Sequence, residues 1–407
     1  MHHPEGAVAS ARDATPPRAT AEVAVDAARP FQLDDPLGWF DDAREHSPVL
    51  WHPQTASWYV TRFDDVWRLL LDARLGARSP EPFLRKLPGP QQDAVRPLVD
   101  FLSRWPMFLD APRHDVVRRV LRPAFTPDEV TRVAEVVRKR GVFRAGSGAD
   151  LLEAALRPAC QDALSALLGV APEDFPRLVT WSEKLMGFVG RSRIDATLIH
   201  HTHSALAQFT EFTGHALARG ASPLARSVGA AVRDRVLQTA DAVAIYAQLV
   251  TGALEPTVSA LATALQALCL GPARRDHYAA EPEGFVHEAI RMATPFHFAA
   301  RRAQRDMEIR GQRIPAGDRV VLVLAAANRD PRRFSAPLEF RRGRTGAHVA
   351  FGRGRHACMG ALVTKHIMRT VLDAYLAETI EIRPVVIDWH ITMGMKWPLS
   401  VTGGTTK

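Results

Sequence analysis

Residues 348–376 read HVAFGRGRHACMGALVTKHIMRTVLDAYL, a glycine-rich loop that leads into a stretch with apolar residues at helical spacing. Six positions stand in the spacing F-G-x-G-x-H-x-C-x-G, namely Phe351, Gly352, Gly354, His356, Cys358 and Gly360. At a probability of about 1/20 per position, chance produces such a match on the order of 10⁻⁸ times per starting site, so the pattern is far more specific than a lone glycine motif.

The cysteine of this motif is a candidate metal ligand. A cysteine at the start of a helix has its thiolate favoured by the helix dipole and by backbone N–H groups. Glycines allow the backbone to pass close to a flat macrocycle. We therefore predict that Cys358 binds iron, that Phe351 shields its sulfur, and that His356 reaches a carboxylate at the macrocycle edge.

The composition is that of a globular protein with enough apolar material for a large core. Of the 407 residues, 46% are hydrophobic and 24% are charged, which is ordinary for a folded domain. Residues 1–30 are polar and rich in Pro and Ala, so we predict a disordered extension there and one domain over residues 31–407.

Cysteine usage points to a reducing compartment. The three cysteines, Cys160, Cys269 and Cys358, are an odd number without C-x-x-C spacing, which disfavours a disulfide framework and a structural zinc site. Residues 1–30 carry acidic residues and no apolar run of signal or anchor length. The sequence therefore predicts a cytoplasmic protein with no membrane partner.

The formal net charge of +8 does not by itself predict a nucleic-acid partner. The 52 Lys and Arg residues are dispersed, without a basic tail or a basic patch interleaved with aromatic residues. A solvated surface is the favoured interpretation, and a basic face that docks an acidic electron carrier stays open.

The pattern of elements predicts a mostly α-helical chain with small β-sheets. Residues 35–45 (DPLGWFDDARE) predict a short helix, and residues 48–63 predict two strands joined by a turn. Helical patterns then dominate, and the run from Ala240 to Leu270 is long and almost uncharged, which predicts a central buried helix. Short β-like pieces follow Glu288, so we expect one large α+β domain.

From about Asp34 to Ser400 the chain resembles the cytochrome P450 family, beginning with the motif around Cys358. The resemblance implies the fold of that family and heme b with Cys358 as the axial thiolate. Such a thiolate donates electron density that favours cleavage of the O–O bond of bound dioxygen. The implied activity is that of a monooxygenase that oxidises a small organic molecule, a natural-product intermediate, with electrons from a separate ferredoxin and ferredoxin reductase. A monomer is expected.

Two further segments match the family's structural markers. FVHEAIRM supplies Glu288 and Arg291 in E-x-x-R spacing, and Arg344 in FRRGR stands as the third member of a structural lock. A charge-assisted pair one helical turn apart can fix this helix to the loop that precedes the cysteine. AAANRDPRRF matches the family's Asn-Arg-Asp segment, a structural marker.

The resemblance also implies a set of basic residues that bind the heme carboxylates. DAPRHDVVRRVLRPAF supplies His114 and Arg118, four residues apart on one helical face, and ARRAQRD supplies Arg301, with Arg302 as the neighbouring alternative. Arginine suits these positions because its guanidinium binds carboxylates in a bidentate manner. Together with Phe351, His356, Cys358 and Gly360 these residues form the predicted cofactor site.

The central helix departs from the family pattern at the position of the usual threonine. Residues 252–257 read GALEPT, in which Glu255 fits the usual acid, Pro256 replaces the first alcohol and Thr257 follows one place late. A proline there removes a hydroxyl and a backbone N–H and should kink the helix. Glu255 and Thr257 are the catalytic candidates, with standard hydroxylation and an unusual outcome (oxidative coupling, nitration or peroxide-driven turnover) both open.

Placement within the family also suggests substrate contacts. These are mostly apolar and aromatic, as expected of a ligand pocket: Phe101, Trp105, Phe108, Leu249, Ala253, Thr294, Phe296, Phe298 and Met393. A heme-binding sensor or recruitment protein without oxygenase activity is the rival from another class, and Pro256 is its best argument.

Overall fold

The computed structural model describes residues 34–80, 89–141, 150–188, 195–379 and 381–406, so the extension predicted over residues 1–30 lies outside the described residues. Helices make up most of the described chain. They are α1 (Pro36–His46), α2 (Phe63–Leu69), α3 (Gly89–Ser103), α4 (Arg113–Leu121), α5 (Pro127–Arg140), α6 (Arg157–Leu168), α7 (Phe175–Phe188), α8 (Ala196–Arg219), α9 (Pro223–Arg233), α10 (Thr239–Cys269), α11 (Pro272–Ala280), α12 (Pro282–Ala293), α13 (Leu324–Asn328) and α14 (Ala361–Glu378).

The strands form one mixed sheet and two hairpins. They are β1 (Val49–His52), β2 (Ser57–Val60), β3 (Leu75–Ala77), β4 (Phe298–Ala303), β5 (Met307–Ile309), β6 (Gln312–Ile314), β7 (Arg319–Val323), β8 (Glu381–Ile391) and β9 (Lys396–Thr406). The five-stranded sheet has the order β1-β2-β7-β4-β3, while β5-β6 and β8-β9 pair separately. The predicted hairpin over residues 48–63 is confirmed, and so is a mostly α-helical fold with small sheets.

Helix α10 is the central buried helix that the sequence predicts. Its residues between Ala242 and Leu268 are largely buried, and the helix continues through Pro256 without a break. Small and apolar side chains allow close packing on several sides of a helix at once. A hydrogen bond also joins α10 to the end of α6, where the Tyr246 hydroxyl donates to the Leu168 carbonyl at 3.0 Å.

Among the described residues no single helix is long and apolar enough to cross a membrane. One pair, Thr239–Cys269 with Pro272–Ala280, meets the length and composition criteria only when taken together across a bend of 119°.

Two parts of the chain bring the motifs of the sequence towards each other. Helix α12 leads into β4, which lies between β3 and β7 in the sheet, and α14 begins three residues after Cys358. A single 3₁₀ turn over Gly354–His356 separates the glycine loop from that cysteine. The motif around Cys358 therefore lies where the sheet region and the helical body meet.

Candidate functional site

The loop that carries Cys358 is closed by its own backbone. The Cys358 amide donates to the Phe351 carbonyl at 2.9 Å, and the Ala357 amide donates to the Gly354 carbonyl at 3.0 Å. Gly352 and Gly354 have φ values of +64° and +71°, a region that residues with a Cβ adopt only at a cost. A Cβ at Gly354 would also lie 2.6 Å from Leu71 Cδ2, so the backbone path itself requires glycine there.

The Cys358 side chain is exposed, whereas Cys160 and Cys269 are buried. Dense surroundings nevertheless raise the pKa of the Cys358 thiol, while hydrogen bonds from the Gly360 and Ala361 amides and the charge of Arg118 act in the opposite direction. Because the sulfur is exposed and yet surrounded by many protein atoms, we infer that the thiol lies at the base of a concave surface. The amide groups at the start of α14 are the local device that favours its thiolate.

Four basic side chains gather beside this loop. The rings of His114 and His356 lie 4.3 Å apart, and Arg118 donates to the Ala357 carbonyl at 2.8 Å. Burial lowers the pKa of His356 to about 3, with the charge of Arg301 and then that of His114 acting in the same direction. Both imidazoles are therefore neutral near pH 7, because burial and then Arg118 also lower the pKa of His114.

This basic edge fits a buried anion. His114 Nδ1 and His356 Nε2 are buried without a hydrogen-bond partner, and Arg301 donates to the carbonyl of its neighbour Ala300 at 3.0 Å. Buried polar groups normally find partners, so orphaned nitrogens beside two guanidinium groups indicate a missing acceptor. The carboxylates of a heme would supply such acceptors at the edge of a group whose iron meets the Cys358 sulfur.

The strand register separates Arg301 from Arg302, the alternative that the sequence left open. Arg301 is 9% exposed and lies opposite Val320 and Ala77, whereas Arg302 is exposed and lies opposite Arg319. Successive residues of a strand point to opposite faces, so only one of the two arginines can face the histidines. The effect of Arg301 on the pKa of His356 identifies Arg301 as that residue.

Glu288, Arg291 and Arg344 form a buried ionic cluster, as the E-x-x-R spacing predicts. Arg291 donates to both oxygens of Glu288 at 2.8 Å, and Arg344 Nε donates to Glu288 Oε1 at 2.7 Å. Arg291 also donates to the carbonyls of Asn328 and Pro337 at 2.7 and 2.9 Å. Helix α12 is thereby fixed to the irregular segment that leads to the cysteine loop.

Asn328 connects this cluster to the cysteine loop, a role that the sequence does not predict. Its Nδ2 donates to the Thr294 hydroxyl at 2.8 Å, and its Oδ1 accepts from the Val349 amide at 2.8 Å. Asn328 is fully buried, so both bonds are shielded from water. The matching of AAANRDPRRF to a family marker was the signal that could have suggested a role for this residue.

The face of α10 formed by residues 249, 252, 253 and 256 is less buried than the rest of the helix. Leu249, Ala253 and Pro256 are partly buried and Gly252 is exposed. A Cβ at Gly252 would meet no atom within 4 Å, so open space borders this face.

Both predicted catalytic side chains contact other protein groups, although Glu255 Oε2 is buried without a hydrogen-bond partner. Glu255 forms an ion pair with Arg157, which also binds Glu153 at 2.9 Å, and the Thr257 hydroxyl lies 3.5 Å from that of Thr364 in α14. Thr257 is only 6% exposed. Both residues therefore contact protein groups on neighbouring helices, and the structure does not bring their polar atoms together.

The candidate substrate contacts separate into two groups. Phe108, Leu249, Ala253, Phe298 and Met393 are partly buried and Phe296 is 41% exposed, which leaves surface for a ligand. Phe101 and Trp105, at 5% and 3% exposed, instead belong to the core. Thr294 is 3% exposed, and its hydroxyl donates to the Arg291 carbonyl at 2.6 Å, so its polar atom is directed to the protein.

Backbone contacts bring the exposed candidates together in two clusters. The Met107 amide donates to the Gln248 side chain at 2.9 Å, which fixes the segment holding Phe108 to α10 beside Leu249. The His297 amide donates to the Gly394 carbonyl at 2.9 Å, which joins the start of β4 to the turn that holds Met393. Among the described residues no group of three or more His, Cys, Asp or Glu could hold a metal ion.

Comparisons with known proteins agree with this geometry. The family model described as Cytochrome P450 matches residues 283–378. A methyl-branched lipid omega-hydroxylase of Mycobacterium tuberculosis is 26% identical over 404 residues, covering 90% of this chain and 91% of its own. An erythromycin C-12 hydroxylase of Saccharopolyspora erythraea is 27% identical and covers 84% of this chain and 86% of its own. The solved structure of CalO2 matches with a TM-score of 0.78 at 24% identity, over 91% of this chain and 96% of its own.

An accessible cysteine at a helix start, beside a buried basic edge and within this fold, defines the class of heme-thiolate oxidoreductases. The chain has the cytochrome P450 fold, and along about nine tenths of its length it is similar to monooxygenases and hydroxylases of the cytochrome P450 family. The family implies a heme whose iron has a cysteine thiolate ligand.

Proposed function

We propose that this P450 oxidises a small organic molecule, a natural-product intermediate, with heme b bound through Cys358. The observation that carries the assignment of the ligand is the exposed Cys358 thiol at the start of α14, beside two buried imidazole nitrogens without partners. When bound, the heme supplies dioxygen activation, and the thiolate increases electron donation to the iron.

The chain's own residues hold and enclose that cofactor. His114, Arg118, Arg301 and His356 bind the heme carboxylates, and Phe351 covers the sulfur from the loop side, while Gly360 leaves room beside the sulfur. A Cβ at Gly360 would lie 3.7 Å from Cys358 Sγ, an ordinary contact distance. The Glu288, Arg291 and Arg344 cluster keeps the loop in position, since an ionic network of this kind fixes geometry as well as energy.

The substrate and partners are assigned by analogy with the relatives. The similarity to an erythromycin hydroxylase supports a natural-product substrate, and the similarity to a lipid hydroxylase supports a largely apolar one. Electrons come from a ferredoxin and its reductase in the cytoplasm, where the thiols stay reduced. Phe108, Leu249, Ala253, Phe296, Phe298 and Met393 are the proposed substrate contacts.

The test of this function is spectroscopic and then catalytic. The reduced protein with carbon monoxide should show the red-shifted Soret band of a heme-thiolate, and a library of metabolites should contain compounds that displace water from the iron. Turnover of those compounds with a surrogate ferredoxin and reductase should follow. A heme-bound protein that lacks the shifted band, or that binds compounds without ever oxidising them, would favour a sensor or recruitment protein.

A second candidate is an outcome other than ordinary hydroxylation, and the contacts of residues 255–257 favour it. Pro256 has neither a hydroxyl nor an N–H, while Glu255 is ion-paired and the Thr257 hydroxyl lies beside Thr364. With no free alcohol at this part of α10, oxidative coupling, nitration or peroxide-driven turnover are the expected alternatives. Pro256→Thr should raise the fraction of consumed electrons that appear in a hydroxylated product, and an unchanged fraction would oppose a defect in proton delivery.

A further inference from the structure

Two arginines, Arg78 and Arg319, lie near each other beside the five-stranded sheet. Arg302 of β4 pairs with Arg319 of β7, and since side chains alternate along a strand, Arg319 lies on the face opposite to that of Arg301. Arg78 follows directly after Ala77, the last residue of β3, and its guanidinium is close enough to Arg319 for the two charges to repel each other. Arg319 is therefore separate from the basic edge formed by Arg301 and the two histidines.

Both guanidinium groups lie over aromatic rings of the proposed substrate contacts. The Arg78 Cζ lies 4.9 Å from the centre of the Phe108 ring, and the Arg319 Cζ lies 5.9 Å from the centre of the Phe298 ring. Cation–π contacts of this kind orient a guanidinium but leave its N–H groups free to donate. The two arginines thus border the region where the substrate is proposed to bind.

The described residues supply no carboxylate partner for either arginine, and both side chains are partly buried. Arg319 Nε is buried without a hydrogen-bond partner. The two nearby carboxylates are engaged elsewhere, because Asp110 accepts from the Ala77 amide at 3.0 Å and Asp318 accepts from Trp58 Nε1 at 2.9 Å.

Burial lowers the pKa of Arg78 to about 10, and the neighbouring charge of Arg319 acts in the same direction. The two guanidinium groups lose hydration on burial, and their like charges repel each other. Both effects cost free energy that a bound anion offsets. This electrostatic cost agrees with the geometry of a site that lacks its anion.

We propose that Arg78 and Arg319 bind the carboxylate of an organic acid substrate, whose apolar body lies against Phe108 and Phe298. The inference rests on the proposed function, because it names the chemical class of the molecule that the heme site oxidises. Guanidinium groups suit a carboxylate since each can donate two parallel hydrogen bonds. The acid group thereby fixes which end of the substrate points away from the iron.

The test compares organic acids with their uncharged amides. Dodecanoic, 4-phenylbutyric and 2-naphthylacetic acid, each beside its primary amide, are titrated into the heme-loaded protein, and binding is followed by the Soret band and by calorimetry. We expect at least one acid to bind about tenfold or more tightly than its amide, because charge-assisted hydrogen bonds are worth more than neutral ones. Arg78→Gln and Arg319→Gln should each remove most of that preference, because they weaken the binding of the acid more than that of the amide.

Arg305→Gln is the matched control, because Arg305 is an exposed arginine in the turn after β4 and its loss removes the same charge. It should leave the preference for acids intact. The proposal is overturned if acids and amides bind equally, if Arg305→Gln acts like Arg78→Gln, or if no acid binds while the carbon monoxide spectrum is that of an intact heme-thiolate. Absence of that spectrum would instead overturn the proposed function. Binding of acids measured by calorimetry does not depend on that spectrum, so the two failures can be told apart.

Discussion

Glu288 accepts hydrogen bonds from two arginines and from a backbone amide while it is only 2% exposed. In such a network the negative charge of the buried carboxylate compensates the positive charges of its partners, and their charges compensate that of the carboxylate. The residue therefore acts as one closed unit with Arg291 and Arg344, and the loss of its charge leaves buried cations without an anion.

Glu288→Gln should lower the free energy of unfolding by about 3 to 5 kcal/mol, because removal of one partner strands the buried charge of the other. Urea denaturation followed by circular dichroism measures this change. Glu283→Gln on the same helix is the control, since Glu283 is exposed and meets Arg369 at 3.4 Å, and it should cost less than about 1 kcal/mol. Equal effects of the two substitutions would contradict the role of the cluster.

Gly354→Ala should destabilise the chain by at least about 1 to 2 kcal/mol, because an alanine pays for positive φ and its Cβ meets Leu71. Gly214→Ala in α8 should instead be neutral or stabilising, since a Cβ there meets no atom within 4 Å and alanine favours a helix. Thermal unfolding of the two variants gives the comparison. A Gly354→Ala protein as stable as the parent would mean that the loop does not need glycine at this position.

The role of a single residue could be predicted where the residue belongs to a sequence motif. It could not be predicted where the role depends on a contact in the folded chain. The spacing around Cys358 and the E-x-x-R pair identified side chains that lie in one region, because those patterns combine several residues. Thr294 has no such pattern, and the marker that contains Asn328 does not indicate its partners, since the bond between the two joins residues 34 positions apart. The burial of Phe101 and Trp105 likewise depends on which helices pack against them.

At the scale of elements, Pro256 lies within a helix of 31 residues. A proline inside a helix lacks one N–H and crowds the preceding turn, so the surrounding packing must offset that cost. Open space borders Gly252, one turn before Pro256. We infer that the part of α10 that the proline weakens faces the region proposed for the substrate rather than the core.

Pro256→Ala should raise the free energy of unfolding by about 1 to 3 kcal/mol, because alanine restores the backbone donor and removes the ring from the helix interior. Pro282→Ala at the start of α12 is the control, since proline suits the first turn of a helix and its removal should bring no gain. Chemical denaturation distinguishes the two. Destabilisation by Pro256→Ala would show that the proline is required for the packing of α10.

Long elements were predictable and very short ones were not. The run from Ala240 to Leu270 differs from the observed helix Thr239–Cys269 by one residue at each end, because a run of about thirty mostly apolar residues carries a strong signal. Strand β3 has only three residues, and its partner β4 follows more than two hundred residues later. The proximity of Arg78 to Arg319 depends on where that strand pairs, so no local pattern could indicate it.

At the scale of the whole molecule, the thiol and the basic edge are assembled from three elements that only the folded chain brings together. Cys358 and His356 belong to the loop before α14, His114 and Arg118 to α4, and Arg301 to β4. A cofactor that contacts all three elements binds the folded chain and not the unfolded one, so it must stabilise the fold.

Hemin should therefore raise the melting temperature of the cofactor-free protein. At a free concentration about a thousand times the dissociation constant, the expected stabilisation is about 4 kcal/mol. Scanning calorimetry with and without hemin measures it, and Arg301→Gln should reduce the gain, whereas Arg305→Gln should not. No change in melting temperature on addition of hemin would contradict a heme site that spans these elements.

The most direct measurement of the central claim is the spectrum of the reduced, carbon monoxide-treated protein, recorded for the parent chain and for Cys358→Ala. The account predicts the red-shifted Soret band of a thiolate ligand in the parent and its loss in the variant, while Cys160→Ala and Cys269→Ala retain it. A parent protein that takes up hemin but lacks this band, or a Cys358→Ala protein that keeps it, would contradict the assignment of Cys358 as the iron ligand.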